Sequence, residues 1–460
     1  MATPVTPEEW LGPLSTHLDE ARPRIDLLRS YTDGNAPLPE AGKNIKAAWS
    51  AFQKTARNNV GDLIVEAPAE RIICSSLSVA GGREDDDEAR RIWVDNRMAI
   101  ALGDTVRDML TVGVGYMVVG NDNGRPVITS ERPEQMYAAT DPLRPWIARA
   151  GIKVWRDRDA GMDYAYVWAD GERQKFERKS HDDRPKAENQ LWTRNYGDTW
   201  EIAGEPQKFD GPVPIYVFQN HRDMGEFEAH TNVIDRINKD VLDRLVTSAM
   251  QAFRRRYLEG GLPKTDESGN PIDYSAIFEA APGAVWDLPE GVTLKETQES
   301  AQSIMAMLSA EKDDLRSLAA DTRTPLPMLV PEGQNQSAAG AQAAKEGLVT
   351  KTKDRIERVK APLASVMTRA MQIAVPGFES VVEPSFIDPT FVTIQEKYEA
   401  NLAAKSGDVP WRTRMTDILG FPGPKVDAMQ TEREEEQLSL ALFAGQPTPP
   451  EEPADAAVTA

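Results

Sequence analysis

Apolar residues recur at three- and four-residue steps through the first hundred positions: Trp10, Leu11, Leu14 and Leu18, then Ile45, Ala48, Trp49 and Phe52. That spacing predicts helices, with a loop dense in turn formers between them, Tyr31-Thr32-Asp33-Gly34-Asn35-Ala36-Pro37-Leu38-Pro39. A further helix is predicted over about 84–110, burying Ile92, Trp93, Ala99, Leu102, Val106 and Leu110. Asp85-Asp86-Asp87-Glu88 lies at its start, where negative charge suits the helix dipole. From 112 to about 218 the period becomes two. Tyr116 to Val119 and Pro126 to Thr129 flank Asn123-Gly124, a strong hairpin signal. Tyr164 to Trp168 and Gln174 to Lys179 flank Asp170-Gly171, and Leu191 to Tyr196 and Thr199 to Ile202 flank Gly197-Asp198. No helix alternates with these strands, so antiparallel hairpins are predicted and a doubly wound parallel sheet is not.

Beyond residue 226 the helical period returns. Val233, Ile234, Ile237, Val241, Leu242, Leu245, Val246, Ala249, Met250 and Phe253 form one stripe, with Arg254, Arg255 and Arg256 read as its last turns before Gly260-Gly261. A second helix is predicted over about 298–320, facing inward with Ile304, Met307, Leu308, Leu315 and Leu318. The two read as antiparallel neighbours joined by a small module that ends in a short strand, Ala284 to Leu288. A polar loop, Pro331-Glu332-Gly333-Gln334-Asn335-Gln336-Ser337, opens a long helix over about 337–374. Pro362 inside it predicts a kink. Shorter helices follow at about 393–404 and 410–419, then a Glu-rich helix to about 443 and an aperiodic Pro/Glu/Ala tail predicted to be disordered.

The 460 residues suffice for two or three cores. A formal charge of −20 excludes a surface that grips nucleic acid everywhere by neutralising phosphates. One cysteine, Cys74, excludes a disulfide framework and a cysteine-built zinc site, and reads as a buried small residue. The acidic opening, MATPVTPEEW, reads as no signal peptide, and the charge-free stretch from Met109 to Asn121 is too short to span a bilayer. No P-loop, Gly-x-Ser-x-Gly elbow or His-Glu-x-x-His occurs. His17, His181, His221 and His230 are scattered. The alternative enzymatic reading is a metal-dependent hydrolase or nuclease built on Asp85, Asp86, Asp87, Glu88 and His221. Successive carboxylates point in different directions on a helix, so one metal cannot take them all.

The order of these elements is similar to that of the portal (head–tail connector) protein of tailed bacteriophages, in the siphophage portal family. The resemblance runs over about 10–440. It rests on the Tyr31 to Pro39 loop, Asn59 to Arg71, Gly113-Val114-Gly115-Tyr116-Met117-Val118-Val119 and Glu131-Arg132-Pro133-Glu134-Gln135-Met136. Late in the chain it rests on Pro325-Leu326-Pro327-Met328-Leu329, Asn335 to Gly340 and Phe386-Ile387-Asp388-Pro389-Thr390. One departure is Ala338-Ala339-Gly340, where family members often carry an acid.

The resemblance implies an α+β, mostly helical portal fold with antiparallel hairpins in the wing and a long kinked helix. It divides the chain into wing (1–227), first stem helix (228–258), clip (259–296), second stem helix (297–321), wing with tunnel loop and kinked helix (322–390), crown (391–445) and disordered tail (446–460). It further implies a non-enzymatic DNA channel at one capsid vertex of the virion, used for packaging and ejection, assembled in the bacterial cytoplasm. A ring of about twelve subunits is expected, with the major capsid protein, scaffold, terminase large subunit, head–tail adaptor and double-stranded DNA as partners, and with no cofactor, metal or membrane. Gln334, Asn335, Gln336 and Ser337 become DNA-channel candidates, and Lys264, Asp266, Glu267 and Trp286 partner-docking candidates. Ile237, Val241, Leu245 and Met250 become candidates for packing between subunits. Another virion structural protein, a minor capsid or adaptor component, is the remaining alternative.

Overall fold

A computed structural model describes residues 4–39, 47–79, 83–180, 200–252, 255–260, 264–265, 269, 271–272, 293–297, 301–330, 338–390, 394–421 and 423–444. The chain opens with α1 (Pro7–Thr32). Thr6 and Glu9 form a reciprocal cap, with Glu9 Oε2 accepting from Val5 N–H at 2.7 Å and Thr6 Oγ1 from Glu9 N–H at 3.4 Å. Then come α2 (Ala47–Thr55), α3 (Val60–Ala69), β1 (Cys74–Val79), α4 (Arg83–Asp95) and α5 (Met98–Val112). The hairpin region holds β2 (Val114–Asp122), β3 (Arg125–Glu131), β4 (Met136–Thr140), β5 (Ala148–Asp157), β6 (Met162–Ala169), β7 (Glu172–Lys179), β8 (Glu201–Ile202), β9 (Gln207–Lys208) and β10 (Ile215–Gln219). After α6 (Thr231–Ala252) come β11 (Arg255–Glu259), β12 (Thr293–Thr297), α7 (Ala301–Asp321) and the single turn α8 (Leu326–Leu329). The chain continues through α9 (Ala338–Ala374), β13 (Val382–Phe386), α10 (Ile394–Ser406) and α11 (Gly423–Ala444).

The chain forms two compact units, one of residues 1–29, 64–228 and 335–460, the other of 30–63 and 229–334. In the first, β4-β5-β6-β7-β8 make a sheet with β9 also on β7, and β10-β2-β3 make a second; all pairings are antiparallel. The large sheet buries one face against Trp10, Leu14 and Leu18 of α1 through Ile152, Val154, Ala165, Val167 and Phe176. Its other face meets the small sheet through Tyr116, Val118, Met136, Ala138, Trp168 and Ile215. Alternation puts Met117 and Val119, both buried, on the opposite side of β2. Helices α5 and α9 pack on the small sheet.

The fold differs from its sequence expectations at two places. The helix read over 84–110 is two helices, broken at Arg97, which takes a left-handed φ of 50°. Asn96 holds the break: its Nδ2 donates to Ile92 O at 2.9 Å and Pro126 O at 3.2 Å, and its Oδ1 accepts from Ile128 N–H at 2.8 Å. The region read as wholly helical also contains β1, which pairs with β13 some 300 residues later. The long helix α9 continues through Pro362 for 37 residues, about 55 Å at 1.5 Å per residue. The predicted hairpins at Asn123-Gly124 and Asp170-Gly171 are present, with φ of 53° and 86°, and 48° and 74°. The pair around Gly197-Asp198, the strand at 284–288 and the tail lie outside the described residues, β8 excepted.

Candidate functional site

In the second unit the helical stripe places Ile234 and Ile237, both fully buried, with Val241 and Leu242 on one face of α6. Val241 and Leu242 pack on Ala56, with Phe52, Leu245 and Val246 around them. The helix therefore has α2 as well as α7 for a partner. Ile237 and Val241 are covered within the chain, Leu245 is half-buried, and the side chain of Met250 lies outside the described residues.

Polar groups fix the register of the helical pair. Arg236 clasps Asp314 with both ends of its guanidinium fork, at 2.6 and 2.7 Å. One face further along, Arg244 lies 3.3 Å from Glu311. Positions rise along α6 while their partners fall along α7, so the pair is antiparallel, as its sequence predicts. Tyr31 Oη donates to Asp235 at 2.7 Å, and Asn58 N–H donates to the buried Asn238 Oδ1 at 2.9 Å. Burial and the bond to Asp235 push the Tyr31 hydroxyl well above its ordinary range. Tyr31 thus explains part of its loop's sequence: it ties the turn to the helical pair.

The end of the pair departs from expectation. Arg255 and Arg256 leave the helix and enter β11, which pairs residue by residue with β12 from Arg255↔Thr297 to Glu259↔Thr293. A two-stranded ribbon stands where Arg255 and Arg256 read from the sequence as the last helical turns. Lys264 is exposed, and its carbonyl accepts from Ile272 N–H at 3.2 Å beside the Thr265↔Pro271 bridge. Asp266, Glu267 and Trp286 lie outside the described residues, as do Gln334, Asn335, Gln336 and Ser337.

The groups of the enzymatic alternative have structural employment. Asp86 Oδ1 accepts from Val79 N–H at 2.6 Å, Asp87 sits 3.8 Å from Arg90 and Glu88 2.6 Å from Arg91. His221 Nδ1 lies 3.3 Å from Arg358. Among the described residues no His/Cys/Asp/Glu group has the arrangement to hold a metal, and no described helix is long and apolar enough to cross a membrane. Burial pushes the Cys74 thiol up to about 12, away from nucleophilic use.

Sequence reasoning missed a buried charge cluster in the first unit. Glu226 is 4% exposed and lies 2.6 Å from Arg355 Nε and 3.4 Å from Lys351 Nζ. Asn220 Nδ2 donates to the same carboxylate at 3.2 Å. The i, i+4 spacing of Lys351 and Arg355 is the available signal, since it puts two cations on one face of α9. The same loop explains the Gly113-Val114-Gly115 motif. A Cβ on Gly113 would stand 2.2 Å from Asp223 O, and one on Gly115 would stand 2.4 Å from Thr105 O. Glycine is required there for close backbone approach, not for phosphate binding.

The family described as "Phage portal protein, SPP1 Gp6-like" matches residues 11–439. Among solved structures, a chain from the virion of a native gene transfer agent (GTA) particle is similar at 14% identity and a TM-score of 0.45, covering 87% of this chain and 94% of that one. A chain from the neck of the empty GTA particle, computed with C6 symmetry, is similar at 14% identity and 0.46, covering 85% and 90%. A chain from the neck of the native particle, computed with C12 symmetry, gives 14% and 0.42, covering 86% and 99%. No curated protein matches the chain.

Proposed function

Because the chain belongs to the phage portal protein family of the SPP1 Gp6-like kind, we propose that it forms the ring at one capsid vertex through which the genome is packaged and ejected. The observation that carries this reading is the family match over residues 11–439, which spans both compact units rather than a single module. The ring holds about twelve subunits, and the chain itself performs no chemistry. It docks the terminase large subunit and the head–tail adaptor while the shell and scaffold hold it in place.

In this assignment α6 and α7 are the stem and the β11–β12 ribbon is the root of the clip. The residues at 331–337 are the tunnel loop, and α10 with α11 is the crown. Since Ile237 and Val241 are already covered inside the chain, neighbouring stems meet through the remaining surface, including half-buried Leu245 and Met305, which is 70% exposed. Neutral Gln334, Asn335 and Gln336 suit transient contact with a moving phosphate backbone, because they bond phosphate oxygens without the counterion release that makes binding tight.

The test is single-particle imaging and native mass measurement of the chain co-expressed with its scaffold. Closed rings of about twelve are expected; strictly monomeric material at micromolar concentration would refute the reading. With rings in hand, deleting residues 333–336 shortens the DNA packaged. Charge reversal at Lys264, Asp266 and Glu267 weakens terminase or adaptor docking while rings persist, with Trp286 as the module's aromatic anchor.

A further inference from the structure

The first turn of α11 is anchored in its own unit: Val426 is buried, and Arg412 holds Asp427 at 2.9 Å. Arg433 reaches back to the Trp411 ring at 5.4 Å. Beyond that anchor every residue from Thr431 to Ser439 is exposed. A helical stretch this short is marginal in water on its own, since isolated helices need about 12–15 residues to hold. Counted from Val426 and Arg433, the helical period turns Glu435 and Leu438 outward, three residues apart. Leu438 is 63% exposed.

A matching face lies on α10. Asn401 Oδ1 accepts from Arg414 Nη1 at 3.1 Å, which fixes the inner side of that helix. On its outer side Tyr398, Leu402 and Lys405 follow at i, i+4 and i+7. Tyr398 is 53% exposed, Leu402 64%, and Lys405 is exposed as well. Among the described residues neither Lys405 nor Glu435 has an ion pair. Both helices thus rest on residues 411–418, Asn401 through Arg414 and Arg433 through Trp411, and leave their outer faces uncovered.

The two faces fit each other in only one direction. Lys405 lies three residues after Leu402, and Glu435 three residues before Leu438, about 4.5 Å in each helix. Run antiparallel with Leu402 beside Leu438, the helices bring Lys405 to Glu435, and Glu434 adds to the attraction. Run parallel, they bring Glu399 to Glu435, a like-charge pair. Apolar contact supplies the seat, and the charges select its polarity.

We propose that α11 of one subunit packs antiparallel on α10 of its neighbour, with Leu438 beside Tyr398 and Leu402 and Glu435 beside Lys405. The occupant is a second copy of this chain, and the inference rests on the ring-forming reading above. Two different complementary patches on one chain make a head-to-tail contact, the kind that closes into a ring when its rotation closes. Each subunit then gives one crown helix and receives another.

The experiment uses the full chain carrying Cys74→Ser, assembled with its scaffold. One population also carries Leu402→Cys and a second carries Leu438→Cys; the two are mixed during assembly, and closed rings are purified and treated with a bifunctional maleimide. Denaturing gels should show covalent dimers from the mixed rings and none from either population alone. A chain carrying both cysteines should give a ladder of multimers. Adding Lys405→Glu to the mixed rings should lower the dimer yield about threefold at limiting reagent, the size of an exposed ion pair. Adding Glu435→Lys as well should restore it. Closed rings without covalent dimers overturn this contact while leaving the ring intact, as does cross-linking confined to single chains of the double-cysteine variant. A yield indifferent to Lys405→Glu overturns the assigned pairing. Failure to close rings even without substitutions overturns the ring-forming reading and this contact with it.

Discussion

Replacing Glu226 with Gln keeps the size and the hydrogen-bonding outline of the side chain and removes its charge. Two cations would remain beside it, Lys351 at 5% and Arg355 at 12% side-chain exposure. At an effective dielectric of about 20, charges 3–4 Å apart attract by roughly 4–5 kcal/mol, and desolvation of each ion cancels much of that. What the substitution exposes is the uncompensated burial of the cations, which costs about 3–5 kcal/mol when one partner of a buried pair is removed. Arg355 keeps Asp354 as a second partner, so the lower end, about 3 kcal/mol, is expected. Urea unfolding followed by circular dichroism measures it on the natural chain, Glu226→Gln, Lys351→Met and the double variant. The double variant should recover at least about 1 kcal/mol relative to additivity. The pH dependence supplies a second arm. Burial pushes the Glu226 carboxyl up, but Lys351 and Arg355 outweigh it and hold it below 4.5. Its stabilisation is therefore present above pH 4.5 and is lost as pH falls through its lower folded value, so the natural chain and Glu226→Gln should converge in acid. A loss under about 1 kcal/mol at neutral pH, or strict additivity, would refute this account of the cluster.

Two further outcomes follow from the same unit. Burial, opposed by Arg29, raises the Asp108 carboxyl to about 6, so its contribution is complete below about pH 3.8 and is lost as pH rises through 6; Asp108→Asn should flatten a change of about 3 kcal/mol between those limits, read as Tm against pH. Gly113→Ala meets both a φ of 91° and Asp223 O at 2.2 Å, whereas Gly124→Ala meets only a φ of 86°. The first should cost about 2–3 kcal/mol more than the second in urea midpoints, and equal costs would contradict the close-approach argument.

What could be read from the chain in advance follows from the range of the forces involved. The hairpins at Asn123-Gly124 and Asp170-Gly171 were legible because the turn demands two left-handed residues whatever surrounds it. The buried face of α6 was legible at Ile237 and Val241 because burial imposes the helical period. The break at Arg97 was not, since Asn96 holds it through Pro126 and Ile128, thirty positions away. Nor was β1, a strand with Cys74 and three serines among its six residues, whose ladder partner among the described residues is the distant β13. At Arg255, helical propensity and strand pairing compete, and the partner strand decides.

The pairing of β1 with β13 sets a clock on the ribosome. About 300 residues separate Val79 from Val382, and at roughly 5–20 residues per second their synthesis takes about 15–60 s. Throughout that interval Cys74–Val79 has emerged while its ladder partner has not been made. A chain released early, before Val382–Phe386, keeps that strand as an open edge, the kind of edge that pairs with whatever strand it meets. Translation to the late strand thus separates finished subunits from fragments, before any subunit is offered to an assembling particle.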